Sequence, residues 1–170
     1  MTRYVALLRA VNVGGTGKLP MSELRRLCES AGFTAVQTYI ASGNVIFESP
    51  KTAAAVKAVL EEALRTYAGK PVGVVVRTST ELAGVLAQNP FPNEAANRTV
   101  AIFLDAPVPE GALEAVRGQV DEKISVGVRE IYVHYGAGMA DSKLRIPAAQ
   151  SGTARNMNTV AKLVAMSSSL

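Results

Sequence analysis

Short apolar runs alternate with amphipathic stretches along the chain, and the two periods separate strands from helices. Residues 4–11 form an apolar run rich in strand formers. A turn follows, Asn12-Val13-Gly14-Gly15-Thr16-Gly17-Lys18. Pro20 suits the first turn of a helix, where its missing N–H would have had no partner in any case. Met21, Leu24, Leu27, Cys28 and Ala31 recur at helical spacing, and Gly32 is placed to cap that helix. Residues 33–40 and 45–47 read as two strands joined by a tight turn at Ser42-Gly43-Asn44, because Gly and Asn tolerate the positive φ of hairpin turns. Ser49 and Pro50 fit the N-cap and N1 positions of a second helix with Val56, Val59, Leu60, Ala63, Leu64 and Tyr67 inward and Gly69 at its end. Pro71 leads into a buried strand over 72–76. This order, β-α-β-β-α-β, is that of a ferredoxin-like unit.

Thr78 and Glu81 have capping-box spacing ahead of a short helix carrying Leu82, Val85 and Leu86. The prolines of Asn89-Pro90-Phe91-Pro92-Asn93 break regular structure and mark a loop. A second unit opens with a strand over 98–104. The pattern then predicts a helix from Pro109 with Leu113, Val116 and Val120 inward, and a strand pair over 124–128 and 130–135. Residues 136–142 are loop. Thr153 is placed to cap a last helix with Met157, Val160, Ala161 and Val164 inward. The expected fold is α+β: two ferredoxin-like (βαββαβ-type) halves with mainly antiparallel sheets and a C-terminal helix. The halves span 1–77 and 98–170, with a helix and proline-containing connection at 78–97. The repetition lies in element order, with no residue-level repeat.

Composition narrows the function more than the fold. With 48% apolar and 19% charged residues the chain is a packed globule, not a disordered one. No basic leader precedes a long apolar stretch, and no apolar run is long enough to cross a bilayer, so a cytoplasmic protein without membrane partners is expected. One cysteine, Cys28, excludes an intrachain disulfide and a thiolate zinc cage. One histidine, His134, removes His-pair metal sites, and no other metal-ligand or paired-carboxylate constellation stands out. No metal or cofactor is expected. The 18 basic against 14 acidic residues, with a pI near 9.4, favour anionic partners mildly.

Three places carry candidate chemistry. The turn Gly14-Gly15-Thr16-Gly17-Lys18 invites a phosphate-loop reading, but a Walker A loop needs Gly at 12 and Ser or Thr at 19, where Asn12 and Leu19 stand. What survives is a Gly-rich turn whose backbone amides, beside Lys18, can hold an anion at a helix start; the plainer alternative is a strand-to-helix turn. Ser42 and Asn44 sit in the hairpin, and Ser42 lacks the flanking glycines of a nucleophile elbow. In a βαββαβ unit, strand one ends where this hairpin turns, so Asn12, Lys18, Ser42 and Asn44 are expected near one another, with Gly69 and Lys70 at the same end.

The third place is Arg155 and Asn156, with Asn158 and Thr159, at the start of the last helix. An arginine there opposes the helix dipole, which points to an anionic ligand or a carboxylate elsewhere in the chain. His134 reads as a strand-surface residue on the face shared with Tyr132, and Cys28 as core packing.

The segments Tyr4-Val5-Ala6-Leu7-Leu8-Arg9, Asn12-Val13-Gly14-Gly15, Lys18-Leu19-Pro20-Met21 and Ser42-Gly43-Asn44-Val45 resemble the bacterial domain-of-unknown-function 1697 family. The resemblance returns at Asn89-Pro90-Phe91-Pro92, Ser142-Lys143-Leu144 and Thr153-Ala154-Arg155-Asn156. Ala10 stands where the family usually has Gly, and Met157 where it usually has Trp. The resemblance implies an α+β fold with ferredoxin-like halves and implies no activity.

The expectation is a binding module for an anionic small molecule or nucleic acid, through Arg9, Asn12, Gly14, Gly15, Lys18, Ser42, Asn44, Arg155 and Asn156. Aromatics are only 5% of the chain and no RNP-type run is present, which argues against RNA binding by base stacking on a sheet. The alternative is an enzyme acting on a phosphorylated or anionic substrate, for which no general base is identifiable. An assembly role ranks third, and the oligomeric state is open.

Overall fold

The computed structural model describes residues 1–10, 18–136 and 139–168. Two four-stranded antiparallel sheets form the frame, in the orders β2-β3-β1-β4 and β6-β7-β5-β8. In sequence order the first comprises β1 (Thr2–Leu8), α1 (Met21–Ser30), β2 (Thr34–Tyr39), β3 (Asn44–Ser49), α2 (Ala53–Ala68) and β4 (Val74–Thr78). Its strand order is that of a ferredoxin-like βαββαβ unit. The second comprises β5 (Thr99–Phe103), β6 (Lys123–Val126), β7 (Glu130–His134) and β8 (Thr153–Asn156), with the same strand order. The fold is thus α+β with two ferredoxin-like halves. Two compact units result, Met1–Ala83 with Leu163–Leu170, and Gly84–Lys162; the division falls inside α3 (Ser79–Ala87) and again inside α4 (Met157–Ser168).

The first core lies between sheet one and its helices. Tyr4, Ala6 and Leu8 alternate along β1 toward Leu24, Leu27 and Cys28 of α1 and Val56, Leu60 and Leu64 of α2. Phe33 stacks on Phe47 with centroids 4.3 Å apart. The helix ends follow local chemistry. Gly32, at φ 91°, and Gly69, at φ 73°, take the left-handed turns that end α1 and α2. The Thr78–Glu81 capping box closes reciprocally: the Thr78 amide donates to Glu81 Oε1 at 2.8 Å, and the Glu81 amide to Thr78 Oγ1 at 3.1 Å. The start of α2 differs from expectation. Thr52, not Ser49, is the N-cap, accepting from the Ala55 amide at 3.2 Å, while Ser49 Oγ accepts from the Lys51 amide.

The helix expected from Pro109 shrinks to one 3-10 turn over Ala112–Ala115. Arg117 pairs with Arg145 in an antiparallel bridge, and Gly118 after it turns left-handed at φ 72°, so no helix continues there. Val120, expected inward, is 90% exposed. The second core instead gathers Val100, Ile102, Leu104, Ile131, Val133 and Ile146. Residues 153–156, expected to open the last helix, form β8 beside β5. Helix α4 starts at Met157, and Asn156 Oδ1 caps it by accepting from the Thr159 amide at 2.9 Å. Its buried apolar residues are Met157, Val160 and Leu163, with Ala161 exposed.

Candidate functional site

At one end of the first unit, two turns meet the last residues of β1. The Leu8 amide donates to the Gly43 carbonyl at 2.8 Å, and the Arg9 amide to the Gly73 carbonyl at 2.9 Å. These bonds fix Arg9 between the β2–β3 hairpin and the turn that follows α2. The Arg9 stem runs across Gly73, so closely that a Cβ built on Gly73 would stand 3.6 Å from Arg9 Cβ and Cδ. Arg9, Lys18 and Lys70 are all exposed.

Backbone conformation at this end is unusual. Ala10 (φ 54°) and Ile40 (φ 52°) are non-glycine residues in the left-handed region, and Gly43 (φ 91°) lies beside them in the hairpin. For an exposed β-branched residue such as Ile40 this conformation is a genuine outlier.

The hairpin is held from inside. Asn44 is fully buried, and its Nδ2 donates to the Tyr39 carbonyl at 2.8 Å and to Ser42 Oγ at 3.0 Å. Ser42 is half-buried. Asn44 therefore shapes the turn, and Ser42 is the hairpin's more accessible polar group. Helix α1 begins at the same end: Pro20 occupies its N-cap position without a side-chain hydrogen bond, and its carbonyl accepts from the Glu23 and Leu24 amides at 3.0 and 3.1 Å. Glu23, in that first turn, is engaged by Arg26 at 2.7 Å. Asn12, Gly14 and Gly15 lie outside the described residues.

Next to Gly73 an open groove of about 430 Å³ runs between α2 and the 71–73 turn, lined by Ala58, Glu61, Glu62, Arg65, Pro71 and Val72. Its carboxylates are internally balanced: Glu61 pairs with Lys57 at 2.5 Å and Glu62 with Arg65 at 2.8 Å. Glu61 also accepts from the Val74 amide at 3.2 Å, at the free edge of β4. The groove thus carries no excess of either charge.

Arg155 and Asn156 belong to the second unit, and Arg155 is a strand residue, not a helix-terminal one. It is buried, and its Nη1 donates to Thr153 Oγ1 at 2.7 Å and to the Ala154 carbonyl at 2.9 Å. Burial pushes its guanidinium down to about 10, which leaves it charged at neutral pH. Arg155 therefore does not stand in the first turn of α4 and does not oppose its dipole. His134 is also buried, at 6% exposure, where a strand-surface residue was expected; Thr99 and Glu94 flank its ring nitrogens. The Cys28 thiol is pushed up to about 12, chiefly by burial, and is an inert core group. Among the described residues no three His, Cys, Asp or Glu side chains gather in a way that would hold a metal ion, and no helix is long and apolar enough to cross a membrane.

The family model described as protein of unknown function (DUF1697) matches residues 1–132. The chain belongs to the DUF1697 family. A solved structure of a conserved bacterial protein, SP0830 from Streptococcus pneumoniae, is similar throughout: TM-score 0.79 and 26% identity, covering 97% of this chain and 98% of that one. No curated protein matches the chain. The family description carries no activity, so the chemistry has to be argued from the residues.

Proposed function

We propose that this DUF1697 protein is a binding module whose ligand is an anionic small molecule or a nucleic acid, seated where β1, the 40–43 hairpin and the 69–73 turn meet. The observation that carries the reading is the pair of backbone bonds, Leu8 to Gly43 and Arg9 to Gly73, that hold an exposed arginine between two turns. Exposed Lys18 and Lys70 add positive charge from the segments before α1 and after α2, and the start of α1 adds its dipole. Ser42 supplies a hydroxyl, and Asn44 holds the turn that presents it. The net charge of +4 acts in the same direction.

A ligand held through phosphate contacts is bound in a salt-dependent way, because each neutralised phosphate releases counterions. Titration with inorganic phosphate and with a single-stranded oligonucleotide, at low and at moderate salt, tests the reading. Binding at low salt that weakens about tenfold at moderate salt is expected for the oligonucleotide if it makes two or more phosphate contacts. In Arg9→Ala and Lys18→Ala the affinity for either ligand should fall. Absence of binding of both ligands at low salt would overturn the proposal.

A further inference from the structure

Two side chains mark the end of the first sheet where the anion is proposed to sit, and both lie on one face. The Leu8–Gly43 and Arg9–Gly73 bonds continue the β1–β3 and β1–β4 registers by one pair each. Arg9 is therefore still extended. Alternation sets it on the face of Val5 and Leu7, away from the core of Tyr4, Ala6 and Leu8. In register across the sheet from Leu7 stand Asn44 of β3 and then Tyr39 of β2. Tyr39 thus shares the face of Arg9, two strands over and about 10 Å across. Each of the two is followed directly by a left-handed non-glycine residue, Ala10 at φ 54° and Ile40 at φ 52°. Strained backbone of this kind gathers at ligand sites.

Tyr39 closes the edge strand β2 and is half-buried. Among the described residues its hydroxyl makes no hydrogen bond and its ring no aromatic contact. The other aromatic side chains of the first unit lie elsewhere: Tyr4, Phe33 and Phe47 in the core on the opposite face, Tyr67 on α2. The positions between Tyr39 and Arg9, held by Asn44 and Leu7, are uncharged. Arg3 and Glu48, at the far end of the same face, pair with each other at 2.6 Å. A half-exposed ring and a fixed arginine on one face suit a ligand that is flat on one side and anionic on the other. Bare phosphate would use the arginine and leave the ring idle. A nucleobase stacks on an aromatic face whatever its identity, and one ring takes one base. A nucleic acid strand calls for a succession of rings along a basic groove.

We propose that the ligand of this end is a mononucleotide, its base stacked on Tyr39 and its phosphate held at Arg9 and Ser42. The inference rests on the anion-binding reading above and narrows it to one chemical class. Asn44 ties the two ends of such a ligand together. Its Nδ2 donates both to the Tyr39 carbonyl, at 2.8 Å, and to Ser42 Oγ, at 3.0 Å. The residue that carries the ring and the residue that carries the hydroxyl are thus held by one buried amide. Ile40, exposed directly after Tyr39, extends the apolar surface offered to the base.

Calorimetric titration of the full chain at low salt with AMP, ribose 5-phosphate and inorganic phosphate separates the ring from the phosphate. AMP is expected to bind about tenfold more tightly than ribose 5-phosphate, the size of one base–aromatic stack. The Tyr39 ring resonances should move with AMP and stay in place with ribose 5-phosphate. Tyr39→Phe keeps the preference for AMP, and Tyr39→Val, which retains a good strand former at this edge position, abolishes it. The ring resonances of the wild type decide the matter even where Tyr39→Val unfolds. Equal binding of AMP and ribose 5-phosphate, or a preference that survives Tyr39→Val, would overturn the mononucleotide and leave the anion reading standing. Binding of none of the three ligands would remove both.

Discussion

Asn44 illustrates how one side chain changes meaning once its direction is known. Ser42-Gly43-Asn44 marks a hairpin in the sequence because Gly43 has to take a positive φ, and it does, at 91°. Whether Asn44 points outward to a ligand or inward to the turn depends on its register with Leu7, which is set by a strand far away in sequence. It points inward. Removing its amide takes a buried donor from the Tyr39 carbonyl and from Ser42 Oγ, so Asn44→Ala is expected to cost about 2 kcal/mol in urea unfolding. A cost under about 0.5 kcal/mol, the size of an ordinary surface substitution, would mean that the turn does not depend on this amide. Arg155 and His134 differ from their sequence patterns for a related reason. Thr-Ala-Arg-Asn has no apolar alternation to mark a strand, and only pairing with Val100, Ala101, Ile102 and Phe103 buries it. His134 is enclosed by Glu94 and Thr99, some 35–40 residues away in the chain, and no local pattern encodes them.

Elements whose signals are local were legible. The helical spacing of α1 and α2, the terminal glycines 32 and 69, and the Thr78–Glu81 box all mark the helices that form, because each depends on contacts within about four residues. The segment after Pro109 has helical spacing too, yet most of it is not helix. Its end is held by another strand-like segment: Arg117 pairs with Arg145, and Gly118, at φ 72°, presses against residue 143. A Cβ built on Gly118 would lie 2.2 Å from the Lys143 carbonyl oxygen, closer than real atoms approach. Gly118→Ala is therefore expected to destabilise the chain by about 3 kcal/mol, from steric overlap with backbone added to a left-handed φ. Thermal and urea unfolding measure this directly, and an unchanged midpoint would show that the 143–145 segment is not fixed against Gly118.

At the scale of the whole molecule, the strand order matters more than any single motif. The β2-β3-β1-β4 order, read from sequence as βαββαβ, brings the hairpin and the turn after α2 to the end of β1, as the Leu8–Gly43 and Arg9–Gly73 bonds record. That is how an unremarkable Arg9 comes to stand between two turns. The chemistry itself was less legible, because no catalytic constellation is written in the sequence and the family is described as one of unknown function. The central claim is that this end of the first unit holds anions. Its most direct test is a backbone amide NMR titration of the full chain with inorganic phosphate at low salt. Saturable shifts are expected at Arg9, Lys18, Ser42, Gly43, Lys70 and Gly73, reduced in Arg9→Ala, with the second unit unmoved. Shifts centred elsewhere, or none at these residues, would contradict the account.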